Sequence, residues 1–361
     1  MTKIKVAYLI STLDTGGAER QLVNTLNSID TKKFEVKVFV LKDKTEIKNQ
    51  INSNISIYVI NIGSYANPTS ILKTIKTIKQ YNPQLLHSVM YASNLIARMY
   101  KITNKKTKVI NHVHGIGSWI KKRHIFIDRL LLPFVDKIIV VSNKSKQIRL
   151  TREKYPENKV EVIYNSIESK DYVFKERNYP TATIKLGTAS RLVSLKQIDL
   201  GIQIINEVKK LGLDIQFLIA GSGPEEEGLK KIVEDLNLND TIIFHGHITN
   251  MPDFYKQINC FAIFSRTEDM PLSIVEAFAS GIPSIAPNVG GISELFEKNI
   301  SLLIDTNKGI NLISEKITTF LKECDFEKAQ VINQKYAVEI FDNIQHKKKI
   351  EELYFRLLKN D

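Results

Sequence analysis

Apolar runs of strand length recur along this chain with room for one helix between successive runs, and this rhythm constrains the fold more than any other feature. Ile4 to Ile10, Phe34 to Leu41, Ile55 to Ile60, Leu85 to Val89, Val109 to Val113, Lys137 to Ser142 and Val160 to Tyr164 are short and rich in Val and Ile. Helical segments such as Ala18 to Leu26 lie between them. Runs that stay apolar on both sides belong in parallel sheets with helices on both faces. The rhythm pauses after Ile167 and restarts with Ile184 to Thr188, Ile215 to Ala220, Ile242 to Phe244, Cys260 to Ser265 and Ser284 to Ala286. The intervening helices are expected over Ile198 to Leu211, from Glu225, and over Pro271 to Ser280. We therefore expect an α/β chain of two doubly wound domains, residues 1–168 and 182–336. A polar linker, 169–181, contains Asn178-Tyr179-Pro180, and an amphipathic helix within 337–361, Ala337 to Leu358, packs back across the joint. Ligands of such sheets bind beyond the carboxyl ends of strands, here in a cleft between the two domains.

Composition removes several classes. The two cysteines, Cys260 and Cys324, form no CxxC pair, so neither a disulfide framework nor a structural zinc site is available, and a reducing cytoplasm fits. The apolar run after Met1 is too short for a signal peptide, and no stretch reaches the roughly 18 apolar residues of a spanning helix. Membrane contact is then peripheral. Charge is uneven: residues 1–180 hold 31 Lys and Arg against 14 Asp and Glu, and the remainder holds 20 against 25. No acidic residue lies between Ile47 and Ile127, whereas Lys73, Lys76, Lys79, Arg98, Lys101, Lys105, Lys106, Lys108, Lys121, Lys122 and Arg123 do. Apolar residues Leu95, Ile96, Met99, Ile125, Phe126, Leu130 to Leu132 and Phe134 accompany these cations, a pairing suited to an anionic lipid surface. The alternative is a solvated basic face over ordinary core. Nucleic acid is a poor fit, because aromatics are not interleaved with the cations.

The strongest local signal runs from Ser265 to Pro283 and carries Glu268 and Glu276 on either side of a helix start at Pro271, with Gly281 and Pro283 to end the helix. The free amides of Leu272, Ser273 and Ile274 then form an anion site for a diphosphate. Glu276, one turn in, can accept hydrogen bonds from two ribose hydroxyls; the bland alternative is a solvated carboxylate. Arg191 and Lys196 follow a strand and open a helix, so both cations can reach one phosphate pair and stabilise a leaving diphosphate without a metal. Gly16 and Gly17 precede a helix and allow a backbone to approach a ligand. Gly221-Ser222-Gly223 lacks the third glycine of a dinucleotide fingerprint, and Glu225 to Glu227 follow it, so it reads as a turn bordering a nucleotide. His112 and His114 have the spacing of a ligand pair but no neighbouring carboxylate or thiol to complete a metal site. No Asp-x-Asp pair occurs, and no metal or other cofactor is expected.

With these motifs in place the chain resembles glycosyltransferase family 4, retaining enzymes of the GT-B double-Rossmann fold. The resemblance runs through Gly16-Gly17-Ala18-Glu19-Arg20, His114-Gly115, Val162 to Asn165, Arg191 with Lys196, Ala220 to Pro224, Phe244-His245-Gly246 and the Glu268 to Glu276 segment. It departs at Gln197, where the family usually has glycine. The resemblance implies that Arg191 and Lys196 hold the diphosphate, Glu268 lies near the donor sugar and His114 lines the sugar pocket. It further places Gly16, Gly17, Asn165, Gly221 and His245 around the donor, His245 towards its base. The implied reaction transfers a hexose or N-acetylhexosamine, with retention, from a nucleotide-sugar, taken as a UDP-sugar, to a glycan or lipid-linked glycan acceptor of bacterial surface polysaccharide. The expected place is the inner face of the cell membrane. A phosphorylase or hydrolase of similar architecture, or a non-catalytic sugar-nucleotide or membrane-binding module, are the other readings.

Overall fold

The computed structural model describes residues 2–65, 67–117, 120–174, 179 and 182–359. The chain divides into two units, Met1–Ser166 with Asn343–Asp361, and Ile167–Asp342. The first contains β1 (Ile4–Ile10), α1 (Gly17–Ser28), β2 (Phe34–Val40), β3 (Ser56–Val59), α2 (Pro68–Tyr81) and β4 (Leu85–Val89). It continues through α3 (Tyr91–Thr103), β5 (Lys108–Val113), α4 (Lys122–Leu131), β6 (Lys137–Val140), α5 (Asn143–Thr151) and β7 (Val160–Val162). All seven strands run parallel in the order β3-β2-β1-β4-β5-β6-β7. The unbroken apolar character of β1 has a direct cause. Val6, Tyr8 and Ile10 enter one core with Leu22 and Leu26 of α1, while Ala7 and Leu9 enter the opposite core with Ile78 of α2 and Ile96 of α3. Alternate side chains leave opposite faces, so a strand buried on both must be apolar throughout.

The second unit contains β8 (Ile184–Ala189), α6 (Ile198–Lys210), β9 (Ile215–Ala220), α7 (Glu226–Asp235), β10 (Ile242–Gly246), α8 (Met251–Gln257) and β11 (Cys260–Ala262). It ends with α9 (Leu272–Ala279), β12 (Ser284–Pro287), α10 (Ile292–Leu295), β13 (Leu302–Ile304), α11 (Ile310–Glu323) and α12 (Phe326–Phe341). Its six parallel strands follow the order β10-β9-β8-β11-β12-β13. Leu186, Phe217 and Ile219 of this sheet pack with Ile202 and Ile205 of α6 and Ile317 and Leu321 of α11.

Two expectations need correction. The single helix expected over Ala337 to Leu358 is two helices, α12 in the second unit and α13 (Asn343–Lys359) in the first. The break falls at Asp342, whose extended backbone pairs with Ile167 and whose carboxylate accepts a hydrogen bond from the Ser169 hydroxyl. Both contacts join residues far apart in sequence, so tertiary packing ends the helix here. The expected linker 169–181 is not uniform either, because Ser169–Asp171 forms a short helical turn within the second unit. Residues 175–178, 180 and 181 of that linker lie outside the described residues.

α13 is part of the first unit's core through Ile350, Leu353 and Tyr354, and the Tyr354 hydroxyl lies 2.6 Å from the Tyr8 hydroxyl. Leu353 is fully buried. Leu353→Ala is expected to lower the stability of the first unit by about 2–5 kcal/mol, read as an earlier urea transition; an unchanged midpoint would mean that α13 is dispensable.

Candidate functional site

In the second unit β8 lies between β9 and β11, so the connections on its two sides run in opposite directions. At such a point the loops leaving the carboxyl ends diverge and make room for a ligand. The loops after β8 and β11 meet here. The Arg266 amide donates to the Leu195 carbonyl at 3.0 Å, and the Lys196 ammonium forms an ion pair with the Glu268 carboxylate. The two side chains keep 27% and 14% exposure, so the pair is open to a solute. Arg191, on the same loop, is exposed and forms no ion pair among the described residues.

Close main-chain packing sets the positions of these loops. A Cβ on Gly221 would sit 1.8 Å from the Ser190 carbonyl oxygen, and one on Gly290 1.6 Å from that of Glu268. Both glycines have positive φ, +133° and +58°, where a side chain is disfavoured in any case. Gly221 thus has a reason internal to the protein, since it lets the β9 loop lie on the Arg191 loop. Its amide donates to the Gly246 carbonyl at 2.7 Å, and β10 runs through Gly246, so His245 is an exposed strand-end residue instead of the start of a loop.

Glu276 is 4% exposed, which removes the solvated alternative. The Tyr255 hydroxyl lies 2.9 Å from its Oε2 and 2.9 Å from the Ser273 carbonyl, so the carboxylate is held from α8. Pro271 occupies the N-cap of α9 with an extended backbone, not the first helical position. The Ile274 amide is not free, because it donates to the Pro271 carbonyl at 3.2 Å. Leu272 and Ser273 are left as the open amides of the first turn, the usual state of a helix start.

The other expected residues lie in the first unit. There the order reverses between β1 and β4, and Gly16 caps α1 just beyond β1. Glu19 is buried, accepts from the Thr12 hydroxyl at 2.9 Å, and would meet a Cβ on Gly16 at 2.3 Å; around Gly17 the space is open. Asn165 is buried just after β7, between Tyr164, whose carbonyl pairs with His346 Nδ1 at 3.0 Å, and Ser166, whose amide donates to Gln21 at 2.7 Å. His114 follows β5 at the end of a row of rings. Tyr8 and His87 stack at 4.8 Å, His87 and His112 at 5.4 Å, and His112 and His114 lie 4.3 Å apart. Burial pushes His87 and His114 down to about 3 and His346 to about 4, and holds His112 well below its usual value. His114 belongs to this neutral set although the residue as a whole is only half-buried.

The sequence matches the family model for glycosyl transferases group 1 over residues 169–337 and that for glycosyltransferase family 4 over residues 15–171. The chain belongs to glycosyltransferase family 4. Escherichia coli WclY, an O-antigen biosynthesis glycosyltransferase, is 23% identical over 331 residues, 84% of this chain and 87% of WclY. Staphylococcus aureus CapH, a capsular polysaccharide biosynthesis glycosyltransferase, is 24% identical over 307 residues, 81% of this chain and 83% of CapH. Anabaena HepE, solved in complex with UDP, superposes with a TM-score of 0.84 at 18% identity, over 98% of this chain and all of HepE. The two sheets of this glycosyltransferase are thus those of the GT-B fold.

Of the expected residues the structure joins Lys196 to Glu268 directly and sets Glu276 on the helix that follows the Glu268 loop. Reading the sequence missed Tyr255, because an aromatic 21 positions before its carboxylate partner carries no local signal. It also missed the ring row, whose members come from β1, β4, β5 and the turn after β5.

The buried imidazoles give the glycosyltransferase an acid-labile first unit. His87, His112 and His346 are 1–3% exposed and neutral when folded, whereas in the unfolded chain they titrate near 6.5. Below that pH the unfolded state binds protons that the folded state excludes, so stability falls as pH falls, by about 1.4 kcal/mol per pH unit for each histidine. Urea midpoints are expected to be flat above about pH 7 and to drop steeply towards pH 5, with a shallower drop in His346→Gln. A flat profile across this window would contradict the assignment.

Proposed function

We propose that this glycosyltransferase moves a hexose or N-acetylhexosamine from a UDP-sugar, with retention and without a metal, onto a glycan or lipid-linked glycan during assembly of bacterial surface polysaccharide. The observation that carries the reading is the arrangement at the β8–β11 switch point. Unpaired Arg191, Lys196 on Glu268, the two open amides of α9 and the buried Glu276 lie on consecutive loop and helix positions there. In this reading Arg191, Lys196 and the α9 amides take the diphosphate, and Glu276, oriented by Tyr255, takes the ribose. As the bond from the anomeric carbon to the phosphate oxygen breaks, charge grows on that oxygen, and cations already in place stabilise it. The leaving phosphate accepts the proton of the incoming acceptor hydroxyl. Neutral His114 donates a hydrogen bond to the sugar, Gly16, Gly17 and Asn165 border it, and Gly221 and His245 border the nucleotide. The names of WclY and CapH support the polysaccharide role, and the UDP bound to HepE supports the nucleotide.

The membrane part of the proposal rests on α4. Phe126 and Leu130 stand 70% and 65% exposed on it, one turn apart, and Lys121, Lys122 and Arg123 precede them on the surface. Cations beside a lipid surface contribute about 1 kcal/mol each. Other members of the expected basic and apolar face are excluded by the structure. Arg98, Ile96 and Leu131 are buried, and Lys101 is paired with Asp136. No helix among the described residues is long and apolar enough to cross a membrane.

A panel of nucleotide sugars screened by thermal shift in EDTA, with an acceptor-dependent transfer assay on the one that binds, tests the reaction. Arg191→Ala and Glu276→Ala are each expected to weaken donor binding by about 1.5–3 kcal/mol, the worth of a charge-assisted hydrogen bond. Turnover without acceptor would point to a hydrolase, and binding without turnover to a binding module. In a second test, the protein is expected to sediment with phosphatidylglycerol vesicles and not with phosphatidylcholine vesicles. Loss of that binding in Phe126→Asp/Leu130→Asp is expected, and equal sedimentation of this variant would remove α4 from the contact.

A further inference from the structure

His114 stands on the irregular turn His114-Gly115-Ile116-Gly117 beyond β5, where Gly115 and Gly117 have φ of +92° and +67°. Carbonyls of such a turn have no strand partner, so something else must fix them. Two arginines from the region of α5 do this. Arg149 donates to the Gly115 carbonyl at 2.9 Å, and Arg152 donates to the Gly117 carbonyl at 3.1 Å. Between them Glu153 forms ion pairs with both guanidiniums, to Arg152 at 2.8 Å. Arg149 and Glu153 are each 1% exposed, and Arg129 of α4 donates to the Glu153 carbonyl at 2.9 Å. The space above Gly117 is filled by Ile120 and by the same arginines, since a Cβ there would lie 2.7 Å from Ile120 Cδ1 and 3.2 Å from nitrogens of Arg149 and Arg152.

A buried ion pair is a poor device for stability alone, because removing two charges from water offsets most of their attraction. Here Arg149 even leaves its Nε buried without a partner. What apolar side chains of the same volume could not supply is a planar fork of donors aimed at main-chain carbonyls. We infer that Arg149 and Glu153 are positioning residues: Glu153 orients Arg149, and Arg149 holds the Gly115 carbonyl so that His114 presents its ring in one orientation to the donor sugar. The inference rests on the reading of His114 as a sugar contact made above. Among the described residues no hydrogen bond joins the pair to the His114 ring itself, and their effect passes through the Gly115 carbonyl and the backbone of the turn.

The test uses the full-length protein with Glu153→Gln and Arg149→Lys. Hydrogen exchange of the amides of 115–117, the dissociation constant of UDP, and kcat and KM on UDP-glucose or UDP-N-acetylglucosamine, whichever the wild type turns over, are measured for each. Expected are exchange at least tenfold faster at 115–117, kcat lowered at least tenfold, and UDP affinity and donor KM within about twofold. Lysine keeps the charge of Arg149 but not its fork, so Arg149→Lys separates geometry from folding if Glu153→Gln does not fold. Unchanged kcat in Arg149→Lys, or kcat, UDP affinity and melting temperature falling together, would overturn the positioning role. Should the wild type turn over neither donor, the functional reading fails, and protection at 115–117 alone decides whether the pair fixes the turn.

Discussion

A parallel strand flanked by two others has no free backbone groups along its length, because each N–H and C=O is taken by a neighbour. β1 is paired with β2 over its full length and with β4 from Val6 to Ile10, and β8 with both β9 and β11. Its faces are closed as well, by helices packed on apolar side chains. Polar chemistry in such a sheet can emerge only where strands end. Gly16, His114, Arg191, Lys196, Gly221 and Glu268 all lie on segments leaving a carboxyl strand end; Gly16, Arg191, Lys196 and Glu268 leave strands at the two reversals of strand order, β1–β4 and β8–β11, and His114 and Gly221 leave the adjacent β5 and β9.

Within the second unit the site is held by main chain more than by side chains. The loops after β8, β9, β11 and β12 touch through carbonyl oxygens that leave no room for a Cβ at Gly221, Gly223 or Gly290. Such contacts do not change rotamer, so Lys196, Glu268 and Arg191 rise from a base that is fixed before a ligand arrives. That is the condition for electrostatic stabilisation without reorganisation. Gln197 belongs to the same frame. It holds φ +49°, a conformation that costs a non-glycine residue about 1–2 kcal/mol, and it is kept there by hydrogen bonds from its amide to Ser194 and from the Gly201 amide to its carbonyl.

The strands were legible wherever burial on both faces left an unambiguous apolar run: Ile4–Ile10, Leu85–Val89 and Ile215–Ala220 have the ends their sequences imply. β13 was not legible, because three residues at the edge of a sheet carry no periodicity. The break at Asp342 was hidden for a different reason, since apolar spacing continues through it and the Ser169 and Ile167 contacts that hold Asp342 extended come from far away in sequence. At the site, residue types and loop positions could be read, but not partners. Tyr255 beneath Glu276 and Arg149 beneath Gly115 are contacts that only the fold creates.

The charge asymmetry of the first half separates, in the structure, into two populations with different physics. Arg98 is buried against Asp128 and Asn111, and Lys101 is tied to Asp136, so these cations are structural. Lys121, Lys122 and Arg123 are exposed at the start of α4, whose first turn contains no acidic residue. A helix start carries partial positive charge, and cations there cost a few tenths of a kcal/mol up to about 1 each. Local helix energetics therefore oppose this placement, and the cluster is not offset by nearby carboxylates in sequence. In the contact proposed for α4, an anionic, partly apolar surface against exposed Phe126 and Leu130 would offset that cost by about 1 kcal/mol per cation.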